Sequence, residues 1–506
     1  MPLHHRFLIG LILVGITYAC KTHEKPYIAP KDSNLDSIAT VQKFCSTCHM
    51  VPGFELADKK TWTQQILPNM GCRLGIKSID YDPVQSMDMM DQLLVMQAKV
   101  YPDRPLISEG DWHKIKDYIN AHAPDSLIVD SMPTLPMSLF SVIPLGKLAG
   151  TPKITLLHFD PDQRSFKVGQ ESGKILTFNT GWSLIDSLDI GSTPLDYVLD
   201  QAQNEYILSV GRMYPSEQKL GTLLKVRGHR VDTLLQDLHR PVQAQYLDLN
   251  GDQNKEVIIS EFGYETGALS WYDLHEPKQN RKPNLLSSMP GAVKTLVQDM
   301  DGDGVSDLVA LMAQGDEHVS IYKMKPGGID QELKVLRFPP IHGVCDIDLV
   351  DFNQDGLMDI VISNGDNADY SPINKPYHGI TVYLNHGNLE FRKSLFLPYP
   401  GVLHTIVKDF DQDGDLDFVA VSFFPGDLKT SVAPFVYFEQ KDGKFEAHSF
   451  EEAYFGKWMT IISGDFDSDG DEDLLMGSFL LNNFLVKGGP AQWKDYSLIM
   501  LKNNVK

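Results

Sequence analysis

Apolar positions divide the 506-residue chain into three textures. His4, His5 and Arg6 precede an unbroken apolar run at residues 7–16. A bilayer-spanning helix needs about 20 residues, so this run is too short to span; it has the length of a signal-peptide apolar region. The second texture extends to about residue 128 and is helical. In residues 108–119, Ser108 supplies an N-cap with Asp111 three residues on. Trp112, Ile115, Tyr118 and Ile119 then recur at helical spacing until Ala123-Pro124 stops the helix. From about residue 135 helical periodicity disappears, and short β-rich runs alternate with Gly and Asp turns. No later stretch is long and apolar enough to span a bilayer.

One pattern recurs in the third texture: D-x-[DN]-x-D-G-x-x-[DE], followed at once by an apolar run. It occurs at Asp248, Asn250, Asp252 and Glu256; at Asp299, Asp301, Asp303 and Asp307; and at Asp351, Asn353, Asp355 and Asp359. It returns at Asp409, Asp411, Asp413 and Asp417, and at Asp465, Asp467, Asp469 and Asp473. The first aspartates are 51, 52, 58 and 56 residues apart. Oxygen ligands on alternate residues of a curled loop point at one cation, and a Gly at the sixth position makes the tight turn, which is calcium-loop geometry. The last acidic residue falls at the ninth position rather than the twelfth and a strand follows, so these are not EF-hands. The first loop departs, with Gln253 at the sixth position and Gly at 251. Two weaker copies, at Asp160 and Asp200, keep the turn and the following strand but lack most ligands.

These repeats resemble the calcium loops of FG-GAP/VCBS repeats in integrin-α-type β-propellers, and the resemblance implies up to five Ca²⁺ ions; the other reading is acidic β-turns without metal. Seven copies in residues 138–506, about 53 residues each, predict seven four-stranded blades. Six or eight stay open, because terminal blades are the hardest to count. Residues 496–501 are expected to pair with the strand near residues 140–144.

Composition sharpens this picture. Lys and Arg number 45 and Asp and Glu 67, a net charge of −22. The odd positions of the five loops hold twenty carboxylates, nearly the whole excess. The acidity therefore reports loops rather than a charged partner surface, and it argues against nucleic acid as a partner because phosphates would be repelled.

Five cysteines stand at 20, 45, 48, 72 and 345. Cys45-Ser-Thr-Cys48-His49 is a C-x-x-C-H element, the c-type haem attachment sequence, in which two thiols reach the porphyrin vinyl groups and the His ligates the iron. A zinc site would want further Cys or His nearby, and a thioredoxin-like pair a βαβ context. Residues 62–71, with Trp62 and Met70, resemble the Trp…Met segment of small bacterial cytochrome c domains, which implies Met70 as the second axial ligand of one covalent haem c. Met87, Met89, Met90 and Met96 compete, but most of them read as core packing, and Met50 is too close to His49. Ala19-Cys20 resembles a bacterial lipoprotein cleavage site, which implies lipidation of Cys20; Tyr18 is bulkier than usual there, and ordinary cleavage after Ala19 is the rival reading. Cys72 and Cys345 read as free buried thiols, with a bridge between domains as the alternative.

Five residues before each loop's first Asp stands a polar residue: Gln243, Lys294, Asp346, His404 and Thr460. Alternation with Val242, Val293, Cys345, Leu403 and Met459 puts the polar set on one face of equivalent strands. If these line the axis, Lys294, Asp346 and His404 converge, either as a catalytic or ligand site or as ordinary channel lining. A polar, aromatic insert at residues 365–379 reads as a lid, a docking loop or a longer hairpin.

The expected organisation is a signal peptide at 1–19, a lipidated polar tether at 20–36, a small all-α cytochrome c-like domain at 37–128, and an all-β propeller at 129–506. The chain is then exported, periplasmic or surface-facing, and anchored to the outer membrane of a Gram-negative bacterium through lipid. Its expected function is haem c electron transfer with a calcium-binding propeller that docks a partner or ligand. The alternatives are a propeller oxidoreductase that uses the attached cytochrome as acceptor, although no catalytic motif or dinucleotide glycine motif is present, and an adhesion or glycan-binding module.

Overall fold

The computed structural model describes residues 27–130, 132–145, 148, 150–200, 204–366, 373–424, 432–480 and 496–505. The apolar run at 7–16 and Cys20 lie outside them. No helix among the described residues is long and apolar enough to cross a membrane.

The helical unit contains α1 (Ser37–Cys45), α2 (Lys59–Thr61), α3 (Leu67–Arg73), α4 (Met89–Ala98) and α5 (Glu109–His122), with a π-helical turn, Trp62–Ile66, joining α2 to α3. Side chains cap four of these helices: Asp36, Asp58, Asp88 and Ser108 each accept a backbone N–H in the first turn. Val41, Cys45, Trp62, Ile66, Ile107, Trp112, Ile115 and Ile119 form its core. Two expectations fail here. Residues 27–36 are not a free tether: Ser33 donates from its backbone N and its Oγ to Asp111, at 2.9 Å each, and Lys114 donates to the carbonyls of Ser33 and Leu35. The methionines of α4 are not core packing either. Met89 is 86% exposed and Met96 72%, with Met90 and Leu93 also exposed, while Asp91 and Val95 face inward.

The remainder is a seven-bladed β-propeller. Blades 1 to 5 are consecutive four-stranded antiparallel sheets at residues 154–189, 194–238, 241–287, 292–337 and 344–398. Blade 6, at 402–449, gains a fifth strand from Leu135–Pro136, which pairs in parallel with His448 and Ser449. Blade 7 combines Trp458–Gly464, Asp473–Ser478 and Leu498–Asn503 with Phe140–Pro144, so the outermost strand comes from the chain ahead of blade 1. The register runs Phe140 to Asn503 through Pro144 to Ile499, the closing pair expected from the sequence.

The second strand of a blade, such as Asp417–Ser422, is buried at every position because neighbouring blades cover both faces. This is why the sequence shows continuous apolar runs there rather than alternation. Among the described residues, seven apolar clusters sit between successive blades; Phe410, Tyr437, Trp458, Leu474 and Ile499, for example, join blades 6 and 7.

Antiparallel geometry places all first-to-second-strand turns, and hence all acidic loops, at one end of the ring. The helical unit contacts the opposite end. Asp91 accepts from Ser216 Oγ and Glu217 N, both at 2.9 Å, Tyr101 donates to Glu265 at 2.8 Å, and Arg73 pairs with Glu265 at 2.5 Å. Tyr377, in blade 5, donates to the carbonyl of Leu56 at 3.0 Å, so this side chain reaches the helical unit. Cys72 and Cys345 are both free, and Cys345 Sγ donates to the carbonyls of Ser363 and Val402.

Candidate functional site

Three groups of residues were marked by the sequence, and each occupies a different part of the ring. The acidic loops share one construction. The first Asp accepts the backbone N–H of the sixth residue, which curls the loop: Gln253, Gly304 and Gly356 at 2.9 Å, Gly414 at 3.0 Å and Gly470 at 3.2 Å. The curl forces the sixth residue into the left-handed region, with φ of 71° at Gln253 and 84° to 101° at the glycines. Carboxylate oxygens approach one another within 4.8 Å in four loops: Asp248, Asp252 and Glu256; Asp299, Asp301 and Asp303; Asp409, Asp411 and Asp417; and Asp465, Asp467 and Asp469. The loop at Asp351 makes no such group of three, and there Asn353 donates to Asp355 at 2.9 Å.

The ninth-position acid has a structural task that the sequence did not reveal. Glu256, Asp307, Asp359, Asp417 and Asp473 are buried. Each accepts the N–H of its loop's second residue, as Asp359 does from Phe352 at 2.9 Å. In the last four, the other oxygen accepts an N–H from the third strand: Met324, Asn385, Gln440 and Asn503. Burial, with Asp411 adding to it, pushes Asp417 up to about 7. Burial and the adjacent Asp413 push Asp411 up to about 6. Protein cations already approach two loops, with Lys323 paired to Asp301 and Lys502 to Asp467 and Asp469.

The second group lies where the helical unit meets the propeller. A cavity of about 740 Å³ is lined by Cys48, His49, Trp62, Ile66, Met70 and Arg73 on one side and by Tyr264, Glu265, Met289, Gln314 and Ile341 on the other. Cys48, His49 and Met70 are thus brought to one space. Cys48 is exposed to it, whereas Cys45 belongs to the helical core beside it, where burial pushes its thiol up to about 11. His49 Nδ1 lies 2.8 Å from the carbonyl of Met50, which selects the tautomer with the proton on Nδ1 and leaves the Nε2 lone pair open.

The third group is in the channel, where a recess of about 240 Å³ is lined by Asp196, Lys294, Asp346, His404 and Thr460. Lys294, Asp346 and His404 come from the first strands of blades 4, 5 and 6 and meet: Lys294 Nζ is 2.9 Å from Asp346, and His404 Nδ1 is 3.2 Å from it. Burial alone would push Asp346 up, but the Lys294 ammonium and the His404 ring hold it well below the usual carboxylate range. The equivalent residues also latch blade to blade. Asp196 accepts the N–H of Ala244, Gln243 that of Thr295, and Asp346 that of Thr405. These three residues thus each fasten the first strand of a neighbouring blade, which gives them a packing role whatever else they do.

No curated protein matches the chain. Among solved structures it is similar to a chain of the complex of BBS1N with ARL6DN, with a TM-score of 0.41 at 10% identity over 73% of this chain and 98% of that one. It is also similar to a chain of the S. cerevisiae complex of Dbp5 with Nup159, Gle1, IP6 and ADP, with a TM-score of 0.39 at 9% identity over 74% and 98%. Residues 299–362 and 409–476 match the FG-GAP-like repeat family, each match running from one acidic loop into the second strand of the next blade. The propeller is therefore seven-bladed and carries FG-GAP-like repeats.

Proposed function

We propose that the chain is an electron-transfer protein whose helical unit holds one covalent haem c and whose calcium-binding propeller docks a partner or ligand. The observation that carries the reading is the convergence of Cys48, His49 and Met70 on one cavity at the junction with the propeller. Its volume falls within the range of cofactor sites, roughly 300–1,000 Å³. The donor set facing the cavity, the Cys48 thiol, an imidazole with Nε2 open and a thioether, also suits the group, with the Cys45 thiol in the adjoining helical core. When bound, a His/Met-ligated haem supplies reversible one-electron chemistry at a raised potential. The Met50 carbonyl orients His49, Trp62 and Ile66 keep that wall apolar, and Arg73, held by Glu265 and Asn69, offers a cation to acidic substituents of the group. Ca²⁺ would be held by the first, third and fifth positions of the loops, the ninth serving mainly as a staple. Export and lipidation at Cys20 belong to the same proposal.

The test is a pyridine haemochrome spectrum of protein matured in a cytochrome c-competent host. Haem retained through acid–acetone extraction, with Met-ligated features lost in Met70→Ala, is the expected result. Absence of covalent haem would sink the reading. The channel trio supports a second reading, a substrate oxidised in the propeller with the haem as acceptor. A screen for small molecules that reduce the haem only when Asp346 and His404 are intact separates the two.

A further inference from the structure

Blade 6 carries a cluster that neither the acidic loops nor the cavity uses. Its last two strands, Phe435–Lys441 and Lys444–Ser449, pair Glu439 with Glu446 and Tyr437 with His448. Residues two apart on a strand share a face, so Glu439, Glu446 and His448 stand together on the side turned toward blade 7. One ligand atom from each lies within 4.8 Å of the others.

Three further observations point to a missing partner. His448 is only 5% exposed, and its Nε2 and Glu439 Oε2 are both buried without a hydrogen bond. Those two atoms are nevertheless 3.0 Å apart, so they converge without the alignment of a donor and an acceptor. His448 Nδ1 lies 3.3 Å from the carbonyl of Pro136, which favours a proton on Nδ1 and a lone pair on Nε2 aimed at the carboxylates. A neutral imidazole oriented by a backbone carbonyl is the usual outer-shell arrangement of a metal-binding histidine. Lys441 Nζ holds the other oxygen of Glu439 at 2.6 Å and lies 3.8 Å from Glu446, so one carboxylate is oriented from behind while Oε2 is turned to His448. Glu446 is 49% exposed at its side chain and leaves an entry path from solvent.

We propose that Glu439, Glu446 and His448 bind a divalent cation of the zinc class, separate from the acidic loops, and that the bound ion fastens the strand Leu135–Pro136 to blade 6. One imidazole nitrogen and two carboxylate oxygens form a mixed N/O set suited to borderline cations, whereas the loops offer oxygen alone and suit Ca²⁺. The second half of the proposal follows from position. Leu135 pairs with His448 itself, and Met137 N donates to the Ser449 carbonyl at 2.8 Å. Fixing the His448 ring fixes the carbonyl of Pro136, and with it the segment that leads from the helical unit into the ring.

The experiment is calorimetric titration of Zn²⁺ into the full chain held in excess Ca²⁺, with His448→Gln and Glu446→Gln beside it, and with hydrogen exchange of residues 135–137 as a second readout. The expected result is one Zn²⁺ site on top of bound Ca²⁺, weakened at least about tenfold by either variant. Zn²⁺ should also slow exchange at 135–137 in the parent only. Zn²⁺ binding that is absent, or unchanged in both variants, would overturn the proposal in favour of a protonated His448 paired with Glu439. Should His448→Gln fail to fold, Glu446→Gln decides alone, because its side chain is half exposed and no apolar contact depends on its charge.

Discussion

Gln253 stands in a backbone conformation that its four counterparts give to glycine. A side chain in the left-handed region costs roughly 1–2 kcal/mol. Gln253→Gly should therefore stabilise the propeller by about 1 kcal/mol, read by chemical denaturation in chelator. Gly414→Ala is the mirror experiment. A Cβ there meets nothing within 4 Å, so its loss of about 1 kcal/mol would be purely conformational. Asp346 offers a test of charge. Asp346→Asn leaves Lys294 and His404 without their shared anion. Because those side chains keep 30% and 39% exposure, the cost should be about 2 kcal/mol, below the 3–5 kcal/mol of a fully buried broken pair. The pH dependence has a definite sign. A carboxylate with a depressed native pKa contributes stability that is fully present above its ordinary value of 3.8 and is lost as pH falls through the lower native value. The parent should thus lose more stability below pH 3.8 than the Asn variant does, which acid melts compare directly.

At the scale of the element, the blade's acidic loop is a hydrogen-bonded unit before it is a candidate cation site. Asp359 shows this. Its two oxygens accept Phe352 N and Asn385 N, so Asp359→Asn must turn an amide NH₂ toward one of these buried donors. The expected loss is about 1–3 kcal/mol whether or not calcium is present, and a calcium-dependent loss would instead give the ninth residue a ligand's role. Alternate aspartates exposed the loops in the sequence because spacing along one chain encodes a curl. The staple was not legible, since its partners sit 17 to 30 residues away on another strand. Helix α4 misled for a related reason. Met89, Leu93 and Met96 recur at helical spacing, and periodicity identifies a face without saying what covers it. The polar register of Lys294, Asp346 and His404 was legible because one position repeats ahead of all five acidic loops, but the bond from Asp346 to the next blade depends on ring curvature that no single repeat contains.

At the scale of the molecule, charge is segregated. The twenty loop carboxylates stand at one end of the ring and the helical unit at the other. If the loops bind Ca²⁺, each site at a hundredfold excess over its dissociation constant adds about 2.7 kcal/mol. Chelation should then lower the melting temperature of the propeller, and an unchanged melt would leave the loops as metal-free turns. The helical unit is held by polar links centred on Glu265 and Asp91, so Glu265→Ala should speed proteolysis between residues 123 and 135 while the propeller's own melt stays in place.

The closing strand of blade 7 also sets an order of events in time. Residues 140–144 leave the ribosome long before their partner, Leu498–Asn503. At about 5–20 residues per second, the first strand waits roughly 20–70 s for the other. During that interval it is an unclaimed sheet edge, open to any passing strand. Pro136 and Pro144 stand at the ends of the two waiting strands, and a residue without an N–H is a poor template for the wrong neighbour. A chain halted before Leu498 would leave residues 140–144 without their partner and the ring open, which makes the nascent chain a point of exposure to wrong pairing.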